Sequence, residues 1–231
     1  MPRTIRQLAL NLSPPPTWGG RRDGAGRKRG PHPRDPHRSR QPFSSADPCH
    51  VTLKLRRGIP SLRAVRFVRE FERSLRTVRE RTRFRVVHYT LQSDHIHLIV
   101  EASSSRDLAA GMKSIGARVA RTVARVFGLR GSVLSDRFHL HVLRSPREVR
   151  NAIAYVLLNA RRHLAKSGRR IDPHPRVDPA SSGRWFDGWR SYAMEFDVHD
   201  PPVSRARTWL LRVGWRRHGR IAMTEVPGRR G

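Results

Sequence analysis

Apolar and polar positions alternate, or nearly so, in four short segments of the central part of the chain. These segments cover residues 50–55, 84–91, 95–102 and 138–143 and are rich in valine, isoleucine, leucine and aromatic residues. Successive side chains of a strand point to opposite faces of a sheet, so each segment has one apolar face for a core. The pattern therefore predicts four β-strands.

Between and after these strands, apolar residues recur at the three- and four-residue spacing of an amphipathic helix. The helical segments are residues 61–78, 107–127 and 146–165. Ser61 is expected to cap the first of them. The sequence Ser-Pro-Arg-Glu at 145–148 forms a capping box with proline at the first helical position, so it is expected to begin the third.

The predicted order of elements is β-α-β-β-α-β-α. This order is typical of an α+β, ferredoxin-like fold, the split β-α-β arrangement. Such a fold has a four-stranded antiparallel sheet with helices on one face, and here an extra C-terminal helix follows. The second face of the sheet is then available for chemistry or for binding nucleic acid.

Composition divides the chain into three parts. Residues 1–48 contain nine of the 17 prolines together with a run rich in glycine and arginine, which is typical of a basic, largely disordered arm. Residues 49–166 carry all the regular patterns described above. Residues 167–231 are predicted to be a loop-rich, basic C-terminal extension, either packed on the central domain or tethered to it.

The charge is extreme: 48 lysines and arginines against 18 aspartates and glutamates give a formal net charge of +30. Nucleic acid is the first candidate partner for such a chain, and a membrane surface is disfavoured because no apolar stretch approaches the ~20 residues of a spanning helix. Only four of the basic residues are lysine. Arginine is suited to phosphate oxygens and bases, although a GC-rich genome would give the same bias.

The cysteine content and the N-terminus predict the cellular location. Cys49 is the single cysteine, which excludes an internal disulfide and a cysteine-based zinc site. The apolar stretch near the N-terminus is short and interrupted by polar residues, unlike a signal peptide. We expect a cytoplasmic, bacterial, nucleoid-associated protein.

Two histidines in the third predicted strand form the first candidate site. His95 and His97 are two residues apart, so both imidazoles lie on one face and could bind one divalent cation. Such a pair is common by chance and can simply be structural. His139 and His141, in the fourth strand, form a rival pair.

The third predicted helix carries the second candidate site. Tyr155 and Asn159 are one turn apart on one helix face, while the neighbouring apolar residues occupy the other side. Asparagine has poor helix propensity, which indicates a specific use for it here. The alternative interpretation is a buried tyrosine whose hydroxyl has an ordinary hydrogen-bond partner.

These segments together resemble a known family. The sequences QSDHIHLIVE at 92–101, SDRFH at 135–139 and YVLLN at 155–159 are similar to those of the single-tyrosine transposases of the HUH endonuclease superfamily. The resemblance is to the REP-associated tyrosine transposases and the related transposases of small insertion sequences. It runs from about residue 50 to residue 163, and it identifies 49–166 as the catalytic domain. The family usually has Asn or Gly where this chain has Asp94.

The resemblance implies a mechanism and the residues that perform it. His95 and His97 match the metal-binding histidines, Asn159 the third metal ligand and Tyr155 the nucleophile. The implied activity is that of a DNA transposase, a site-specific single-strand endonuclease and strand-transferase. It acts through a 5′-phosphotyrosine intermediate and uses a divalent metal, Mg²⁺ or Mn²⁺.

The expected partner is DNA, single-stranded or folded into a hairpin, bound by a monomer or a homodimer. The residues predicted to contact it are Arg137, His139, Arg150, Arg161 and Arg162. The alternative function is a catalytically inactive or domesticated sequence-specific DNA-binding protein, or an RNA-binding protein, on the same fold.

Overall fold

The computed structural model of the chain describes residues 42–79, 83–168, 170, 176–190 and 200–228. Of the predicted arm, residues 1–48, the part up to residue 41 therefore lies outside the described residues. The strands are β1 (Cys49–Lys54), β2 (Phe84–Leu91), β3 (His95–Ala102) and β4 (His139–Val142). The helices are α1 (Val65–Arg76), α2 (Ser105–Phe127), α3 (Pro146–Leu157), α4 (Asn159–Lys166) and α5 (Trp209–Arg212), with 3₁₀ turns at Ser182–Trp185 and Gly214–His218.

The four strands form one antiparallel sheet in the order β2-β3-β1-β4, which confirms the predicted fold class. On one face, Val51 and Leu53 of β1 lie beside Leu98 and Ile96 of β3, and α1 and α2 cover these apolar side chains. We call the opposite side the histidine face. It carries the histidines of three neighbouring strands, which are His50, His95, His97, His139 and His141.

The strands agree closely with the sequence pattern, but the start of the first helix does not. β2 and β3 have the predicted bounds, and each end of β1 and β4 differs from its predicted position by one residue. α1 begins at Val65, and its N-cap is Ala64, so the prediction that Ser61 caps it was wrong. Ser61 begins a separate turn, in which Leu62 donates its backbone N–H to the carbonyl of Ser93 at 3.2 Å.

The third predicted helix consists of two helices. The capping box of Ser145 and Glu148 begins α3 as predicted. The expectation of one helix to residue 165 was wrong, because Leu158 leaves the helical region at φ −107° and ψ 18° and α4 begins at Asn159. The apolar spacing continues through this junction, so periodicity alone does not reveal it.

The extra helix α3 lies over the histidine face and forms a second apolar core there. Ile153 of α3 packs with Val87 and Ile99 of the sheet and with Trp189 and Trp215 of the C-terminal extension. The described part of the extension is therefore packed on the domain. None of the helices within the described ranges is long and apolar enough to cross a lipid bilayer.

The buried carboxylate of Glu101 is the main polar anchor of this extension. It accepts hydrogen bonds from the backbone N–H of Thr208 at 2.7 Å and from its hydroxyl at 2.8 Å. It also pairs with the guanidinium of Arg85 at 2.9 Å. Glu101 follows His97 on the same face of β3, so the extension is attached to the sheet that carries the candidate site.

Candidate active site between the histidine face and α3

His95 and His97 lie side by side on the histidine face of β3. Their ring centroids are 4.8 Å apart. His97 is buried, with only 4% of its surface exposed, whereas the side chain of His95 is 22% exposed. The pair therefore has one ring inside the protein and one at its surface, next to each other.

Tyr155 of α3 lies directly against His97, the inner histidine of this pair. Its ring meets His97 edge-on at 5.1 Å between centroids, and it meets His50 edge-on at 5.5 Å. The guanidinium of Arg162 lies 4.8 Å from the centroid of the Tyr155 ring. The structure thus brings together the tyrosine and the histidines that the sequence singled out, and it adds a positive charge beside the phenol.

Two tyrosines, Tyr89 in β2 and Tyr155 in α3, lie among the described residues, and their surroundings differ. The hydroxyl of the buried Tyr89 donates a 2.7 Å hydrogen bond to Glu72, on the opposite side of the sheet. Tyr155 is half-buried, and its hydroxyl has no hydrogen-bond partner within the described part of the chain. A buried tyrosine with an ordinary hydrogen-bond partner, the alternative interpretation of Tyr155, is thus found at Tyr89 and not at Tyr155.

Asn159 is the least ordinary residue of the site. It begins α4, one turn after Tyr155, and is completely buried. Neither its amide oxygen nor its amide nitrogen has a partner among the described residues, and the same is true of Nε2 of His97. A buried polar group left unpaired costs about 1–3 kcal/mol, so these atoms need a partner such as an ordered water or a bound ion.

The side chains of His95, His97 and Asn159 carry donor atoms of the types that divalent cations bind. Imidazole nitrogens suit Mn²⁺ and related ions, and a carbonyl-type oxygen also suits Mg²⁺. Among the described residues no group of three or more histidine, cysteine, aspartate or glutamate side chains is placed to hold a metal. The predicted ligand set contains two side chains of those four types, His95 and His97, together with the amide of Asn159.

Burial keeps the inner histidines of the site neutral. Desolvation, followed by the charges of neighbouring histidines and Arg162, lowers the pKa of His97 to about 3. Desolvation, with a smaller contribution from His141, lowers the pKa of His50 to about 4. Only a neutral imidazole has a lone pair to bind a metal, so His97 is in the required form at neutral pH.

Sequence reasoning missed two histidines next to this site. His50 of β1 contacts both His97 and Tyr155. His163 of α4 has its ring 6.0 Å from that of His95, and its pKa is lowered, first by desolvation and then by His95. The polar positions of β1 hinted at His50, because they alternate with apolar ones, but its neighbours depend on which strand pairs with β1.

A cavity of about 550 Å³ opens beside Tyr155. It lies between the histidine face, α3 and the C-terminal segment of residues 225–228. Its polar lining includes His50, His141, Asn151 and Arg162. A volume of this size accommodates a ligand as large as a nucleotide.

The residues predicted to contact DNA differ in their exposure and in the contacts that they already make. Arg137 and His139 are exposed near β4. Nε of Arg161 donates to the carbonyl of Thr224 at 3.1 Å, while Arg162 lies over Tyr155. Arg150 has its two terminal nitrogens on the carboxylate of Glu225, at 2.6 and 2.7 Å, so this guanidinium is already engaged.

The rival histidine pair lies at the edge of the sheet. His139 and His141 of β4 are both exposed, and they pair with Thr52 and His50 of β1. His141 lines the cavity, but the rings that meet Tyr155 are those of His50 and His97.

Comparison with known proteins gives a match to a family model and likenesses to solved structures. Residues 51–154 match the family model of the IS200-like transposases; the match includes both histidines of β3 and ends one residue before Tyr155. A solved structure of a REP-associated tyrosine transposase bound to a REP hairpin is 18% identical, with a TM-score of 0.43 over 56% of this chain and 74% of that one. No curated protein sequence matches the chain. Over residues 51–154 this protein is similar to the IS200-like transposases, which confirms the resemblance that its sequence predicted.

Proposed function

We propose that this protein is a DNA transposase that cuts and rejoins single-stranded DNA through Tyr155. The observation that carries the proposal is the edge-on contact of the Tyr155 ring with His97 at 5.1 Å, within one chain. The similarity of residues 51–154 to IS200-like transposases supports it. The net charge of +30 supports DNA as the partner.

In the proposed reaction, Tyr155 becomes covalently bonded to the DNA. Its hydroxyl oxygen forms a bond to a DNA phosphorus, and the bond from that phosphorus to the 3′ oxygen breaks. The products are a 5′-phosphotyrosine and a strand with a free 3′-hydroxyl, which takes up a proton as the phenol loses one. A neutral phenol is a weak nucleophile, and the guanidinium of Arg162, 4.8 Å from the ring centroid, would stabilise negative charge that develops in the transition state.

His95, His97 and Asn159 would hold a divalent metal, Mg²⁺ or Mn²⁺. When bound, the metal polarises oxygens of the scissile phosphate. The contribution of the protein is to keep His97 neutral by burial and to present the Asn159 amide in a region without competing partners. These roles explain why polar atoms of both residues are buried unpaired.

A single tyrosine fits rejoining as well as cutting. The phosphotyrosine retains the energy of the broken phosphodiester, so a 3′-hydroxyl of another strand can reverse the reaction without a nucleotide cofactor. One tyrosine holds one DNA end at a time, which suits a single strand or a hairpin better than two simultaneous cuts in a duplex. Such an enzyme would act on DNA in the bacterial cytoplasm.

The DNA strand would reach Tyr155 through the cavity lined by Arg162. Arg162 lies over the Tyr155 ring and would bind a phosphate there. Arg161, on the same helix α4, and Arg137 and His139, at β4, would extend the contact with the strand. Phosphate contacts position a strand without reading its sequence. Arg150 would contribute only if its pair with Glu225 opened.

The proposal is tested by covalent capture. End-labelled single-stranded hairpin DNA, incubated with the protein and Mn²⁺ or Mg²⁺, is expected to give a protein–DNA adduct that resists SDS and disappears when EDTA is added. A library of hairpins with varied flanking sequence covers the unknown recognition site. Binding without any adduct across that library would contradict the proposal and favour the non-catalytic DNA-binding alternative.

We also propose that the tyrosine acts in its own subunit. The contacts of Tyr155 with His50 and His97 are made within one chain. A mixture of the Tyr155→Phe and His97→Ala variants is therefore expected to form no more adduct than either variant alone. Adduct formation restored by mixing would show that α3 is exchanged between two subunits. Each variant mixed with wild-type protein controls for inhibition.

A further inference from the structure

Asp94, the residue that precedes His95, contacts its ring directly. Its carboxylate oxygen Oδ1 lies 2.7 Å from Nδ1 of His95. An ionised carboxylate only accepts hydrogen bonds, so Nδ1 must carry the proton and donate it. The other ring nitrogen, Nε2, is then left with its lone pair.

The neighbouring His97 is also held through Nδ1, but by different partners. Its Nδ1 lies 3.0 Å from the hydroxyl of Thr52 and 3.2 Å from Nε2 of His50, each of which can donate or accept the hydrogen bond. Thr52 pairs with His97 across β1 and β3, so the sheet register holds this contact in place. The Nε2 of His97 is buried without a partner among the described residues. Of the two rings, only that of His95 has a carboxylate on Nδ1 that fixes the position of the proton.

We propose that Asp94 is a positioning residue, which fixes the tautomer and orientation of His95 and strengthens its Nε2 as a metal ligand. This inference rests on the proposed function, in which His95 binds the metal. A histidine ligand commonly donates its second N–H to a carboxylate or carbonyl, and that contact makes the ring more basic. The carboxylate of Asp94 provides this effect for His95, whereas His97 has only uncharged partners.

The backbone around Asp94 is held on both sides of the turn. The carbonyl of Asp94 accepts a 2.7 Å hydrogen bond from the N–H of Leu55, and the carbonyl of His95 accepts one from Gln92 at 2.9 Å. Leu55 and Gln92 directly follow β1 and β2, so the turn is attached to the ends of both strands. The side chain of Asp94 is 59% exposed and reaches the ring of the adjacent residue from this anchored turn.

The test measures metal affinity and needs no DNA. Co²⁺ is the probe, because imidazole sites bind it more tightly than Mn²⁺ and its visible absorption reports binding. Asp94→Ala is expected to weaken Co²⁺ binding by roughly 10- to 100-fold, the usual effect of losing such a contact. Asp94→Asn keeps an acceptor oxygen without the charge, so its affinity is expected to lie between that of Asp94→Ala and wild type.

Three controls separate the possible outcomes. Asp187→Ala removes an aspartate that is 76% exposed and should bind Co²⁺ like wild type. His95→Ala should lose binding, and the melting temperature of each variant shows that it folds. Wild-type affinity in Asp94→Ala, with binding lost in His95→Ala, would overturn this inference and leave the metal site standing. Wild-type protein that binds no Co²⁺ would overturn the metal role and this inference together.

Discussion

Replacing Tyr155 with phenylalanine is expected to abolish the covalent protein–DNA adduct while DNA binding stays within about two-fold of wild type. The substitution removes only the hydroxyl oxygen, which is the proposed nucleophile. Loss of a nucleophile lowers the rate of such reactions by at least about a thousand-fold. The hydroxyl has no hydrogen-bond partner within the described residues, so the fold should hardly change. Adduct yield on SDS gels and fluorescence anisotropy at fixed salt measure the two effects.

Tyr89→Phe is the matched control for this experiment. It makes the same chemical change on the other side of the sheet, where the hydroxyl donates to the buried Glu72 at 2.7 Å. This variant should keep the adduct and lose about 1 to 2 kcal/mol of unfolding free energy, measured by denaturant titration. The expected results of the two variants are thus opposite in activity and in stability. Cleavage that persists in Tyr155→Phe would remove Tyr155 from the mechanism.

His97→Ala is expected to remove both the response to Mn²⁺ and the adduct. Its Nε2 is one of the three proposed metal ligand atoms, and the ring contacts Tyr155. Losing a ligand from such a small set should weaken metal-dependent cleavage by more than roughly a hundred-fold. The measurement is adduct yield as a function of Mn²⁺ concentration, on protein whose folding is verified by circular dichroism.

His141→Ala tests the rival histidine pair under the same conditions. His141 is exposed on β4, and its ring is not among those that contact Tyr155. This variant should keep both the adduct and the metal response, with at most a modest change in DNA affinity because His141 lines the cavity. If His141→Ala lost the metal response and His97→Ala kept it, the metal site would belong to β4.

Local sequence was enough to predict the histidine half of the candidate site. The two-residue period of a strand places His95 and His97 on one face. This period is a property of the backbone and needs no knowledge of distant residues. The prediction that Tyr155 and Asn159 share one helix face assumed a single helix, whereas α3 ends at Leu157 and Asn159 begins α4. The bounds of β2 and β3 and the capping box of α3 followed from patterns of the same local kind.

Contacts between distant parts of the chain could not be predicted in this way. His50 lies beside His97 because β1 pairs with β3, and the choice of neighbouring strand depends on the whole sheet. Arg150 was predicted to meet DNA, but it is held by Glu225, which follows it by 75 residues. Neither residue has a local pattern that indicates its partner.

The sequence by itself therefore determined the order of strands and helices up to α3, the strong positive charge and the common face of His95 and His97. The tertiary structure alone decided that α3 lies over the histidine face, so that Tyr155 meets His97, and that Asn159 is buried without a partner. The physical reason is the range of the interactions. Side-chain direction is fixed by backbone dihedrals within a few residues, whereas the placement of a helix on a sheet depends on burying apolar surface contributed by the entire chain.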